Sequence, residues 1–145
     1  NWHCDLMDVL GDFGASPRLG LDEAAQALGL PGKWNGHGEN VAAQAAAGDY
    51  AAIDRYCEGD VLNTYALYLR WACFSTRVSA RGHNASVQNL LDYLEAGREQ
   101  HPHWGEFADR WRASARPCPL FVSEPLGEPG PQPPESHLRS EDVLP

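Results

Sequence analysis

Apolar positions recur at helical spacing through most of the first 115 residues, and the punctuation between them is that of helix ends. Leu6, Val9, Leu10 and Phe13 form one stripe behind Asp5 at a cap position, which predicts a short helix over 6–13. Leu21, Ala24, Ala25 and Leu28 form a second over 21–28, stopped by Gly29 and Pro31-Gly32. An Ala-rich helix over 40–47 ends at Gly48. Asp49 then caps the strongest segment, 50–74, in which Gly59 is the weak point, costing about 1 kcal/mol relative to Ala. Ser86 is the expected cap of a helix over 87–98. Pro102 stands at the first turn of another over 103–113, with Trp104, Phe107 and Trp111 on one side. No segment reads as a β-strand and no repeat is visible. The fold class is therefore mostly α.

Composition changes this picture near residue 116. Positions 117–145 hold eight of the eleven prolines and one basic residue, Arg139. Such a stretch has too few apolar residues to offset its ordering entropy, so 1–116 is read as the folded part and 117–145 as a disordered Pro-rich tail. The formal net charge of −9 argues against binding nucleic acid through a broad basic surface. No apolar run approaches the roughly 20 residues that cross a bilayer, so no membrane partner is expected. Cys4, Cys57, Cys73 and Cys118 match no zinc or disulfide framework. Buried, reduced thiols at Cys57 and Cys73 and a cytoplasmic setting are the economical reading.

The residues that carry chemistry are Tyr56-Cys57-Glu58-Gly59-Asp60-Val61. On a helix, positions four apart share a face with Cβ atoms about 5–6 Å apart. Tyr56 and Asp60 thus present a phenol beside a carboxylate. The carboxylate can ligate a divalent cation while the phenol orients a water for in-line attack on a phosphodiester. The bare spacing is common by chance, and by itself a core tyrosine beside a solvated aspartate explains it as well.

Four blocks in order sharpen the reading: His3-Cys4-Asp5-Leu6-Met7-Asp8-Val9-Leu10, Leu21-Asp22-Glu23, Leu28-Gly29-Leu30-Pro31-Gly32-Lys33, and the Tyr56 block continued through Tyr65. From residue 3 to about 115 the chain resembles the predicted 3′–5′ exonucleases related to the proofreading exonuclease domain of family-B DNA polymerases. These are DEDD enzymes of the RNase H-like fold. The resemblance implies that Asp60 is the last metal-binding carboxylate and Tyr56 the residue that positions the attacking water. It implies hydrolysis of the terminal phosphodiester at DNA 3′ ends, single-stranded ends above all, with two Mg²⁺ or Mn²⁺ ions. The family's first two acids form a D-x-E pair on an opening strand, and a third follows. No D-x-E occurs in this chain, whose first residue is Asn1. The expectation is a helical C-terminal part of such an enzyme, with the sheet and remaining ligands upstream, inactive alone. The rival expectation is a non-catalytic helical binding or interaction module derived from the same family.

Other chemically capable residues have plainer readings. Asp5 reads as a cap and Asp8 as a solvated position, although His3 stands nearby. His101 and His103 read as surface loop around Pro102, with no third ligand near in sequence. Glu58, two residues from Asp60, faces elsewhere and reads as solvated. Lys33 lacks P-loop spacing and reads as an exposed lysine that could touch a phosphate. Trp34 could stack on a base, whereas Trp71, Trp104 and Trp111 read as core.

Overall fold

The computed structural model describes residues 4–34, 38–115 and 118–123. His3 and the tail from 124 onward lie outside them. Six α-helices follow one another with no strand among the described residues: α1 (Leu6–Leu10), α2 (Leu21–Ala27), α3 (Val41–Ala47), α4 (Tyr50–Phe74), α5 (Ala80–Ala96) and α6 (Pro102–Ser114).

α4 is the axis, and α2, α3, α5 and α6 all pack on it. Its start is fixed as the sequence predicts, with the Asp49 carboxylate accepting from Ala52 N–H at 3.1 Å. Its buried side carries Gly59, Leu62, Asn63, Ala66, Leu67, Leu69 and Ala72. Small residues on this side let neighbouring helices approach, and large ones interdigitate with them. α5 contributes Val87, Leu90, Leu91 and Leu94, and α6 contributes Phe107, Ala108 and Trp111. Ala24 and Ala25 of α2, with Leu30 just beyond it, close the core. A second apolar row on α4 stays outside: Val61, Tyr65 and Tyr68 are 65%, 43% and 38% exposed.

Four expectations are corrected. The first helix stops at Leu10, and the chain then turns through left-handed backbone at Asp12 and Phe13, leaving Phe13 exposed. α5 starts at Ala80 under a Ser79 cap that accepts from Gly82 N–H at 3.1 Å, seven residues before the expected start. Its first two turns are polar, yet their groups are paired across the fold. His83 is 1% exposed and its ring nitrogens lie 3.1 and 3.3 Å from the carbonyls of Leu69 and Leu120. The Asn84 side chain exchanges two hydrogen bonds of 2.9 Å with the Val122 backbone. Residues 118–123, which composition assigns to the tail, thus run along α5, and Arg70 donates to the Cys118 carbonyl at 3.0 Å. Finally, Cys57 is exposed and Cys73 half-buried; all four cysteines are free thiols.

Candidate functional site

Two segments separated by about thirty residues are locked together to make the site. The carboxamide of Asn63, 1% exposed, receives a hydrogen bond from Gly32 N–H at 3.0 Å and donates to the Gly32 carbonyl at 2.9 Å and the Gly59 carbonyl at 3.0 Å. Gly32 adopts φ +66°, and a Cβ there would sit 2.5 Å from Asp22 Oδ1, so only glycine fits. Asp22 in turn accepts from Lys33 N–H at 2.7 Å and from Gln26 at 3.0 Å. The Leu30–Lys33 turn is thereby fixed against α4, and Lys33 Nζ comes to 5.9 Å from the Tyr56 ring centroid.

Tyr56, which this lysine approaches, shares a face of α4 with Asp60, one turn on. Burial raises the Tyr56 hydroxyl above its ordinary pKa, and the neighbouring Asp60 carboxylate raises it further, while Lys33 pulls the other way. The phenol therefore stays protonated through the neutral range and keeps its proton for donation. Gly38 covers the hydroxyl: a Cβ there would lie 3.1 Å from Tyr56 Oη. Asp60 is half-buried and lines an open groove of about 580 Å³ with Asp5, Leu6, Val61, Thr64, Tyr65 and Tyr68. Asp5 is the helix cap anticipated, accepting from Met7 and Asp8 N–H at 2.9 and 3.3 Å. Asp8 pairs with Arg18 at 3.5 Å on the surface.

Two readings fail here. Trp34 is not offered to a base; its ring packs on Phe107 with centroids 5.4 Å apart, against the core. Glu58 is not simply solvated. Its Oε2 accepts from His103 Nε2 at 2.5 Å and from Trp104 Nε1 at 2.6 Å, joining α4 to the start of α6. Burial alone would raise the Glu58 carboxyl, but those bonds, with the charge of the two imidazoles, bring it below the usual carboxylate range. His101 stands at the N-cap and His103 in the first turn of α6, at the helix start that Pro102 predicts. Nothing local in sequence links residue 58 to residues 101–104, so only the tertiary contact reveals this cluster.

Trp104 fills the corner between α5 and α6 because Gly97 has no side chain; a Cβ at Gly97 would collide with the indole. Gly97→Ala is expected to displace Trp104 from Tyr93, His101 and Glu58 and to destabilise the fold by about 1–3 kcal/mol. Urea unfolding followed by tryptophan fluorescence measures it.

A family model described as a predicted 3′–5′ exonuclease related to the exonuclease domain of PolB matches residues 1–111, and the chain belongs to that family. No curated protein and no solved structure matches it. No helix among the described residues is long and apolar enough to cross a membrane.

Proposed function

We propose that this chain is the helical C-terminal part of a divalent-metal-dependent 3′–5′ exonuclease of RNase H-like fold that hydrolyses the terminal phosphodiester at single-stranded DNA 3′ ends. The observation that carries the reading is the placement of Tyr56 and Asp60 one turn apart on α4, with Asp60 lining the groove and Lys33 Nζ 5.9 Å from the Tyr56 ring.

Asp60 offers a hard, partly exposed oxygen donor, which suits Mg²⁺ or Mn²⁺. It lies in no group of three donors among the described residues, so it fits as one ligand of a larger set. The other acids, including the D-x-E pair, would come from a preceding sheet. The exposed row Val61, Tyr65 and Tyr68 beside Asp60 supports this, because contiguous apolar surface marks a face that another element covers. When bound, the cations would neutralise the phosphate and stabilise charge on the entering and leaving oxygens. Tyr56, protonated, orients the attacking water by hydrogen bonding, and Lys33 lies where it can contact the substrate phosphate. The free thiols at Cys4, Cys57, Cys73 and Cys118 suit a cytoplasmic setting.

The test uses the complete protein with its upstream acidic motifs and single-stranded DNA labelled at the 5′ end. Stepwise shortening from the 3′ end with release of nucleoside monophosphates, stopped by EDTA, is expected. Endonucleolytic cuts, or activity indifferent to EDTA, would refute it. Tyr56→Phe should slow the reaction by about 10- to 100-fold without changing stability much, since it removes the water-orienting hydroxyl and leaves the ring. The 145-residue chain alone should be inactive.

A further inference from the structure

The geometry points to a zinc-type metal site formed by Glu58, His101 and His103, which would fasten α4 to the start of α6. The donor atoms of the three side chains all lie within 4.8 Å of one another. Two imidazoles and one carboxylate are the donor set of three-ligand zinc sites, in which a water takes the fourth position. Such nitrogen-rich sets favour Zn²⁺ over Mg²⁺ or Ca²⁺, which take oxygen ligands.

The surroundings are those of a prepared site. Trp104 donates to Glu58 Oε2 at 2.6 Å and so holds the carboxylate from outside, the part that outer-shell donors play around metal ligands. The same indole stacks on His101, with centroids 4.1 Å apart and planes 13° from parallel, which sets the direction of that ring. The His103 side chain is 11% exposed and that of Glu58 39%, so the site is half-sheltered with an open approach from solvent. His103 Nε2 and Glu58 Oε2, now 2.5 Å apart, need to separate to roughly 3.3 Å for tetrahedral bonds of ~2.0–2.1 Å. Glu58 and Asp60 are two residues apart, roughly 200° around the helix, so this site uses a different face of α4 from Tyr56 and Asp60.

The experiment is a titration of EDTA-stripped 145-residue chain with Zn²⁺ by calorimetry, and with Co²⁺ by visible absorption. One equivalent is expected to bind with a dissociation constant of about 1 μM, and cobalt to show the d–d bands of a four-coordinate nitrogen/oxygen site. His101→Ala is the key variant. A hydrogen-bonded Glu58–His103 clamp does not require His101, whereas a metal site loses a ligand, so affinity should fall at least about 10-fold with helicity unchanged by circular dichroism. Asp60→Ala should leave Zn²⁺ binding intact, which separates this proposal from the nuclease reading. Absence of saturable binding, affinity unchanged in His101→Ala, or thiolate-to-cobalt charge-transfer bands would each overturn it.

Discussion

Asp60→Ala is expected to reduce the metal-dependent 3′-end hydrolysis of the complete protein by about 10³-fold or more, to background. Under the proposed function the carboxylate would contribute its charge where cations and a phosphate meet, and Asp60 belongs to no other three-donor group among the described residues. Ala is a good helix residue, and the hydrogen bond that Thr64 Oγ1 makes at 2.8 Å goes to the Asp60 backbone carbonyl, which survives the substitution. The fold should therefore hold, with a stability change within about 1 kcal/mol by denaturant unfolding. Asp60→Asn should be nearly as inactive, because it keeps the shape and loses the charge. Activity at the wild-type level in either variant would remove Asp60 from the metal set, and with it the nuclease reading of α4.

The largest loss of stability is expected from Asn63→Ala, about 3 kcal/mol, or roughly 10 °C in Tm. Asn63 is buried and satisfies both the N–H and the carbonyl of Gly32. Truncation leaves those two backbone groups without partners in a buried turn and opens a small void, whereas an exposed side chain has water to replace what it loses. Thr64→Ala, one residue on and exposed, should cost no more than about 0.5 kcal/mol. The two costs come from thermal unfolding followed by circular dichroism. If they were equal, the clamp between α4 and the Leu30–Lys33 turn would carry none of the stability assigned to it. Because that turn also places Lys33 near Tyr56, Asn63→Ala should depress activity of the complete protein beyond what unfolding explains.

Local rules made much of the scaffold readable. α4 runs from Tyr50 to Phe74 as its cap and periodicity predict, because Asp49 and Gly48 act within a few residues of the helix they delimit. Asp5 and Pro102 mark helix starts for the same reason. The Tyr56–Asp60 neighbourhood was equally legible, since a spacing of four on a helix sets which side chains share a face. Polar segments were the ones misread. The first turns of α5 looked like loop because their periodicity is weak, yet His83 and Asn84 find partners on residues 120 and 122.

The amino-acid sequence by itself determined the helices, the chemical identity of the Tyr56–Asp60 pair and the family to which the chain belongs, because each rests on residues close together or on an ordered pattern of short blocks. Only the tertiary structure decided that Asn63 grips Gly32 across 31 residues, that Glu58 meets His103 and Trp104 across 45 and 46, and that residues 118–123 pack along α5. Those pairings depend on how four helices settle around α4. Buried polar groups take whichever partner the packing brings within reach, and no local spacing encodes that choice.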